Sequence, residues 1–273
     1  MPHKQFNLSD RHLMTDPTLP SQPFDQLFVL TGASRGLGLA LAQVCLKAGI
    51  PLVTMSRRHI DELDQLAQTH NVKLTQLLVD LNDQAAVEHA TRDMCSLVKQ
   101  AKRPRLIHNA GVVTPVTVSD HPASFTDIEQ AYLTNIVSPT FITNHFLAAT
   151  QLASDRRIML ISSGAGRHAF AGWGVYCGSK AALDRYAEVV ALEQGQRARI
   201  ASVAPGVMDT PMQAQIRTAD AKRFPIQDMF LKLHQQGALS NPAQTAQQLL
   251  SFIEHDSFGQ LTIDDIRQHE FPS

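Results

Sequence analysis

The chain has 273 residues, of which 44% are hydrophobic and 18% are charged, a balance that fits one large α/β domain with a sizeable core. Its net charge of -1 argues against the broad basic surface that binds nucleic acid, so no nucleic-acid partner is predicted. The three cysteines are scattered without metal-ligand spacing, and we predict neither a metal site nor a disulfide framework.

Residues 1–25 are polar and contain prolines, and they lack the apolar core of a signal peptide, so we expect a loose N-terminal arm. No apolar run approaches the roughly 18 residues that are needed to cross a bilayer. These observations predict a cytoplasmic protein with no membrane partner.

Short apolar runs alternate with helical patterns along residues 26–273, which we interpret as one domain. The first run, LFVLT, leads into the glycine-rich turn TGASRGLG and a helix that ends near Gly49. Further strands are predicted at PLVTMS, KLTQLLVDL, RLIHNAG, RIMLIS, RIASVAPG and QLTIDDI, and helices at 61–68, 83–101, 123–152, 176–193 and 242–254. The alternation predicts right-handed βαβ units and a Rossmann-type, doubly wound parallel sheet of about seven strands with helices on both faces.

The turn after the first strand has the character of a dinucleotide site. Gly32, Gly36 and Gly38 form G-x-x-x-G-x-G between a strand and a helix, a variant of the commoner G-x-G-x-x-G pattern. Glycines allow a pyrophosphate to approach the backbone closely, and a helix N-terminus offers it free N–H groups and a positive dipole end.

Arginines at the same corner favour NADP(H) over NAD. An acidic residue at the end of the second strand would accept from the adenosine 2′-hydroxyl, whereas a cation accommodates a 2′-phosphate. This chain has Arg57 there and Arg35 inside the glycine turn. Solvated surface charge is the alternative interpretation. Asp80, after the third strand, is expected either to accept from the adenine amino group or to cap the next helix.

Tyr176 and Lys180 are the candidate chemical groups. A spacing of four places both side chains on one face of a helix, where a nearby ammonium favours the phenolate. Ser163, after the fifth strand, can bring a hydroxyl to the same place. The set predicts a site that exchanges a proton with a substrate oxygen, although each pair alone is also common on ordinary helix surfaces.

The ordered set TGASRGLG, HNAG, Asn135, Ser163, Tyr176-x-x-x-Lys180 and Pro205-Gly206 resembles the short-chain dehydrogenase/reductase family over about residues 26–266. The resemblance implies that Tyr176 is the general acid in carbonyl reduction and that Ser163 hydrogen-bonds the carbonyl oxygen. It also implies that Lys180 binds the nicotinamide ribose and lowers the Tyr176 pKa, and that Asn135 holds a water in a proton relay.

Together the patterns and the resemblance define a set of cofactor contacts along the strand ends. The family's NNAG appears here as His108-Asn109-Ala110-Gly111, which keeps the cofactor-facing Asn109. The predicted NADP(H)-binding residues are Gly32, Ser34, Arg35, Gly36, Leu37, Gly38, Arg57, Asp80, Leu81, Asn109, Ala110, Gly111, Tyr176, Lys180, Pro205, Gly206, Val207 and Thr210.

The substrate side is expected between Ser163 and Tyr176 and in residues 207–239, which are predicted to be irregular and to form a movable, mostly apolar lid. Within the family, FAGWGVYCGSKAA, APGVMDTPMQ and LLSFIEHDSFGQLTIDD resemble the sepiapterin and benzil reductases most. Sepiapterin reductases anchor the pterin with an Asp in the last strand, which matches Asp264, with Asp265 as a neighbouring candidate. The predicted substrate residues are Ser163, Phe170, Trp173, Tyr176, Met212 and Asp264.

The leading hypothesis is an NADPH-dependent oxidoreductase that reduces a ketone, diketone or pterin side-chain carbonyl to an alcohol. One alternative is a non-catalytic NADP(H)-binding sensor on the same fold, and another is an alcohol dehydrogenase that works oxidatively with NAD. The family resemblance also implies a homodimer through helices at about 123–152 and 176–194.

Overall fold

The computed structural model describes residues 24–271, so almost all of the predicted N-terminal arm lies outside the described residues. The strands are β1 Gln26–Thr31, β2 Leu52–Ser56, β3 Leu74–Leu78, β4 Arg103–His108, β5 Arg157–Ile161, β6 Arg199–Ala204 and β7 Ile263–Asp265. The helices are α1 Gly36–Lys47, α2 Asp61–Thr69, α3 Gln84–Val98, α4 Phe125–Tyr132, α5 Ser138–Ala149, α6 Gly174–Gln194, α7 Pro211–Arg217, α8 Gln227–Gln235 and α9 Pro242–Glu254.

The seven strands form one parallel sheet in the order β3-β2-β1-β4-β5-β6-β7. The interior strands β1, β2, β4, β5 and β6 are buried almost throughout, because helices cover both faces of the sheet. The predicted doubly wound Rossmann-type fold is confirmed. The strand order reverses between β1 and β4, and in such sheets the ligand crevice lies at that switch point, outside the carboxyl ends of the strands.

Two hydrophobic cores hold the helices against the sheet. On one face, α1, α2 and α9 pack through residues such as Leu41, Leu63 and Leu249. On the other face, α3, α5 and α6 pack through residues such as Met94 and Phe146. The loops at the carboxyl edge of the sheet therefore start from strands that are packed on both faces.

The predicted helix over 123–152 is interrupted by a π-helical turn, Leu133–Val137, between α4 and α5. Such single π turns inside α-helices recur at functional sites, because they redirect one side chain out of the regular pattern. Here the turn contains Asn135, which is 1% exposed and points toward the loop after β4. A residue predicted to act in catalysis therefore lies at the one irregular point of this long helix.

The prediction that residues 207–239 are irregular is wrong in part, because the segment contains α7 and α8. Thr210 caps α7 through its hydroxyl, and Pro211 occupies the first turn, where a missing N–H does no harm. Both helices are short, and Pro225 between them hides the periodicity. Among residues 24–271, none of the helices is both long and apolar enough to cross a membrane.

Candidate active site

The glycine-rich turn after β1 is closely packed by the neighbouring strand ends. Oγ of Ser56, the last residue of β2, accepts from the Ala33 amide at 2.8 Å, and Nδ2 of Asn109 donates to the Gly32 carbonyl at 3.0 Å. A Cβ atom on Gly38 would clash with the Gly32 carbonyl oxygen and with Nδ2 of Asn109. The turn therefore keeps its backbone and the start of α1 open to a ligand, which fits a bound pyrophosphate.

Two arginines flank this turn on its outer side. Arg35 directly precedes α1 and Arg57 directly follows β2, and both side chains are exposed. Within the described residues, neither makes an ion pair or a side-chain hydrogen bond, so both forks remain available to an anion. Asp80 accepts from the amide of Asn82 at 3.0 Å, whereas the cap of α3 is Asp83. The alternative in which Asp80 caps the helix is therefore wrong.

The remaining predicted cofactor residues follow the ends of β1, β3, β4 and β6 at the same edge of the sheet. The side chains of Leu37 and Leu81 are buried in the two cores, which leaves their backbone for a cofactor. Thr210 lies beside the turn, since a Cβ atom on Gly36 would be 3.4 Å from its Cγ2. The other residues at these strand ends are at least partly accessible, apart from the buried Pro205: Ser34, Ala110, Gly111, Gly206 and Val207.

The structure brings Tyr176, Lys180 and Ser163 together, as predicted. Nζ of Lys180 donates to the carbonyl oxygen of Ile161 at 2.8 Å and lies 5.9 Å from the centroid of the Tyr176 ring. Ser163 lies close enough to Tyr176 for its hydroxyl to influence the phenol. Gly111 lies beside this group, since a Cβ atom there would be in ordinary contact with Nζ of Lys180 at 3.7 Å.

Burial dominates the electrostatics of the pair in the protein alone. It raises the pKa of Tyr176 to about 12, although the neighbouring Ser163 hydroxyl acts in the opposite direction. Burial also lowers the pKa of Lys180 to about 8, and the charge of Asp184 opposes that change. Tyr176 is therefore a protonated phenol at neutral pH, and the expected lowering of its pKa by Lys180 is not the main effect in the protein alone.

Asn135 connects the π turn to both the cofactor edge and α6. Its Oδ1 accepts from the Val112 amide at 2.9 Å, while its Nδ2 donates to the Val112 carbonyl at 2.8 Å and to Oγ of Ser179 at 3.1 Å. All of its side-chain groups are thus used for positioning. Its backbone, in the irregular π turn, is the part that remains for a proton relay.

His108, where the family pattern has Asn, is a structural residue. It is 2% exposed, and its Nε2 lies 3.0 Å from Oγ1 of Thr143 on α5. Burial, and then the charge of Lys180, lower the pKa of His108 to about 3, so the ring is neutral at working pH. The departure from the family pattern leaves Asn109 in its bonding position.

A third group of apolar side chains, separate from the two cores, covers Tyr176. Its aromatic members, here called the aromatic cluster, are Phe170, Trp173, Tyr176, Phe224 and Phe230. The ring centroid of Trp173 lies 5.3 Å from that of Tyr176 and 5.1 Å from those of both Phe224 and Phe230. Met212 packs against the same group. The predicted substrate residues before α6 and in residues 207–239 therefore lie together beside the phenol of Tyr176.

Asp264 does not join this group. It pairs with Val203 of β6, so its side chain points to the face that α9 covers. There it is 3% exposed, and its Oδ1 lies 2.9 Å from Nε2 of His269. The neighbouring Asp265 is bound by Arg267 at 2.6 Å. Neither carboxylate is free to anchor a ligand beside Trp173.

Two functional contacts were not predicted from the sequence. Ser56 fixes the glycine turn, and its only signal is its place immediately before Arg57. Asp184, on the helix turn after Lys180, forms a buried network with Ser162 and Ser202. Its only signal is the i, i+4 spacing from Lys180, which surface helices also show.

Comparison with known proteins agrees with this geometry. The profile of the short chain dehydrogenase family matches residues 26–221. A benzil reductase ((S)-benzoin forming) of Bacillus cereus is 33% identical over 238 residues, which cover 85% of this chain and 95% of the relative. A sepiapterin reductase of Bos taurus is 30% identical over 246 residues, which cover 85% of this chain and 91% of the relative.

The fold was also compared with solved structures. The crystal structure of the KRED1-Pglu enzyme matches with a TM-score of 0.74 and 26% identity, over 86% of this chain and 98% of that one. The predicted resemblance to benzil and sepiapterin reductases within the wider family is thus confirmed. By its matching profile, its fold and these relatives, the chain is an oxidoreductase that belongs to the short-chain dehydrogenase family.

Proposed function

We propose that the protein is an NADPH-dependent reductase of small aromatic carbonyl compounds. The observation that carries the proposal is the aromatic cluster, in which the ring centroid of Trp173 lies 5.3 Å from that of the proton donor Tyr176. A carbonyl that enters this site meets two hydroxyl donors, Tyr176 and Ser163, at the end of an apolar surface. Polar groups at one end of an apolar pocket are the usual arrangement for orienting a small ligand.

The preference for NADPH rests on Arg35 and Arg57. Both are exposed and lie at the turn that fits the pyrophosphate, and no carboxylate follows β2 to accept from a ribose hydroxyl. An arginine fork binds a phosphate with two parallel hydrogen bonds, which suits the 2′-phosphate of NADPH. This arrangement favours reduction with NADPH over oxidation with NAD.

Four residues would have separate roles in the reduction of the carbonyl. NADPH, when bound at the turn, supplies the hydride that reduces the carbonyl carbon. Tyr176 donates its proton to the carbonyl oxygen, while Ser163 stabilises the negative charge that develops there. Lys180 holds a positive charge beside the phenol, which stabilises the phenolate that is left after the transfer. Asn135 keeps the loop after β4 and the start of α6 in register, so that a proton can return to the pair.

The cluster favours an aromatic ketone or diketone over a pterin. The relatives include a benzil reductase and a sepiapterin reductase. A pterin edge would need a carboxylate at the site, but Asp264 is buried beneath α9 and occupied by His269. Benzil offers two aromatic rings on either side of adjacent carbonyls, and the partly exposed Phe170 and Met212 at the edge of the cluster can pack against them.

The test measures loss of NADPH absorbance with benzil, sepiapterin and a simple aliphatic aldehyde, each repeated with NADH. We expect benzil to react fastest and NADPH to be preferred. If no compound consumes either cofactor although NADPH binds, the reductase proposal is wrong and the sensor alternative is favoured. Faster turnover of sepiapterin than of benzil would overturn the aromatic assignment alone.

We propose that the protein acts in the cytoplasm as a homodimer through α4, α5 and α6. Five of the eight large hydrophobic side chains that are exposed on the described surface lie on or beside these helices: Phe125, Val137, Leu152, Val189 and Leu192. Covering them would remove apolar surface from water. Sedimentation at micromolar concentration tests this, since the wild type should be a dimer and Leu192→Glu should be a monomer. A wild-type monomer would contradict it.

A further inference from the structure

Asp184 is a buried carboxylate for which the proposed chemistry has no role. It lies on α6, one helix turn after Lys180, and is 7% exposed. Its Oδ1 accepts from the hydroxyl of Ser162 at 2.5 Å and from the hydroxyl of Ser202 at 2.6 Å. Burial of a carboxylate is unfavourable unless a charge or several hydrogen bonds compensate for it. The burial of the Asp184 carboxylate therefore needs an explanation.

One carboxylate oxygen of Asp184 has no hydrogen bond. Among the described residues Oδ2 lacks a hydrogen-bond partner, and its ion pair with Nε of Arg167, at 3.7 Å, is too long to be one. Arg167 instead donates through its other end to the carbonyl oxygens of Ser202 and Asp264. Gly166 makes room for the carboxylate, because a Cβ atom there would lie 2.7 Å from Oδ2.

Lys180 precedes Asp184 by one turn of α6, so their side chains share one face of the helix. Lys180 is 5% exposed, and its single hydrogen bond in the described structure goes to a neutral carbonyl. Burial lowers the pKa of Lys180, and Asp184 is the group that opposes this change. The other ionisable groups near Lys180 are the neutral His108 on β4 and the protonated Tyr176 on its own helix.

Other ionisable side chains lie on α6 or on the elements that pack against it. Asp265 of β7 is bound by Arg267 at 2.6 Å. From α4, the phenol of Tyr132 faces α6 at Gly178. The thiol of Cys177 lies 3.7 Å from the carbonyl oxygen of His168. Asp184 is thus a buried carboxylate one helix turn from Lys180 whose ion pair with Arg167 is not hydrogen-bonded.

We propose that Asp184 is a positioning residue of the reductase, which keeps Lys180 charged through its buried carboxylate and ties the Ser163 loop to α6 through Ser162. The inference rests on the proposed function, because a charged Lys180 matters only if Tyr176 transfers a proton. It predicts that removing the negative charge of Asp184 lowers the pH at which Lys180 loses its proton. Removing only a hydrogen bond to Asp184 should leave that pH unchanged.

The test follows Lys180 by NMR in protein labelled with 13C at the lysine side chains, with the Lys180 signal assigned from Lys180→Arg. In Asp184→Asn, which is nearly isosteric, we expect the apparent pKa of Lys180 to fall by about one unit. The alkaline limb of the kcat/KM profile should move to lower pH in the same variant. Because the NMR titration needs no substrate, its result stays separate from any failure of the proposed reductase activity.

Two further variants separate charge from structure. Ser202→Ala removes one hydrogen bond to Asp184 but keeps the charge, so the Lys180 titration should match that of the wild type. Arg167→Gln removes a competing positive charge, so the Lys180 pKa should rise. An unchanged Lys180 pKa in Asp184→Asn would overturn the proposal. If Asp184→Asn does not fold, a Lys180 pKa that fails to rise in Arg167→Gln overturns it instead.

Discussion

The glycine-rich turn after β1 and the aromatic cluster beside Tyr176 are built in opposite ways. The turn consists of consecutive residues whose backbone does the work, supported by Ser56 and Asn109 from the next strand ends. The cluster joins side chains from the loop before α6, from the segment between α7 and α8, and from α8 itself. Backbone sites tolerate few sequences, whereas packed side-chain clusters tolerate many.

This difference indicates how the two sites should respond to substitution. The turn has little freedom, because an added methyl group at Gly38 meets backbone and an amide that cannot yield without moving a strand. The cluster can repack around a changed side chain, so changes there should alter the choice of substrate before they abolish catalysis. We therefore expect the turn to carry the family signature and the cluster to govern the choice of substrate.

The largest effect is expected where the two regions meet, at Tyr176. Tyr176→Phe keeps the ring in the aromatic cluster but removes the proton donor, so kcat should fall by about 10²- to 10⁴-fold. Because the cofactor edge is untouched, the Kd for NADPH should stay near that of the wild type. Stopped-flow turnover and fluorescence titration with NADPH measure the two quantities.

Tyr186→Phe is the matched control for that variant. Tyr186 lies on the same helix, burial likewise raises its pKa to about 12, and its hydroxyl donates to Asn144 instead of facing the site. It should retain kcat. An equal loss in both variants would mean that helix stability, and not the proton of Tyr176, explains the effect.

The next effect tests the cofactor side of the comparison. Arg35→Gln and Arg57→Gln should each raise the KM for NADPH by about tenfold or more, since a hydrogen bond to a charged group contributes about 1.5–3 kcal/mol. The KM for NADH should change little, because NADH has no 2′-phosphate for these arginines to bind. Arg92→Gln, at an exposed position on α3, is the control. Equal changes with both cofactors would contradict the assignment.

Much of the cofactor edge was predictable because each signal is local. A strand, a glycine turn and a helix start are contiguous, so Gly38 and Arg57 can be placed from the sequence alone. The shared helix face of Tyr176 and Lys180 was predictable for the same reason, since a spacing of four on a helix defines one face. The direction of the Tyr176 pKa shift was not predictable, because the burial that raises this pKa depends on residues distant in the sequence.

The substrate side was less predictable because its contacts are long-range and its helices are short. The pairing of Trp173 with Phe224 depends on how the segment between α7 and α8 folds back over α6. Asp264 shows the limit most clearly, because strand register decides which face a side chain takes, and the register put it under α9. A one-residue shift would have directed it to the other face of the sheet.

A smaller effect is expected inside the cluster. Phe230→Leu keeps an apolar side chain but removes ring contacts with Trp173 and Phe224, and aromatic pairs contribute about 0.5–1.5 kcal/mol beyond their area. The KM for benzil should rise by about 3- to 10-fold while the Kd for NADPH is unchanged. Met229→Leu, at the exposed neighbouring position, is the control. A weakened Kd for NADPH in Phe230→Leu would show that the two regions are not separable.

The smallest effect on activity is expected at His108, which lies beneath the cofactor edge. His108→Asn restores the residue that the family pattern has, and Asn109 keeps its bonds to the turn, so kcat at pH 7 should stay close to that of the wild type. Its consequence should appear in stability instead. The folded protein holds the His108 pKa at about 3, whereas an unfolded histidine titrates near about 6.5.

Between those two pH values the unfolded chain binds a proton at His108 that the folded chain does not. The free energy of unfolding of the wild type should therefore fall as the pH falls below about 6.5, with a slope from this residue of about 1.4 kcal/mol per pH unit. Urea unfolding at pH 7 and pH 5 should give a pH sensitivity about 2 kcal/mol smaller in His108→Asn than in the wild type. Exposed His70→Asn is the control. Parallel curves for His108→Asn and the wild type would mean that the buried ring accepts a proton in the folded protein, and that the strand end beneath the cofactor is less enclosed than its burial indicates.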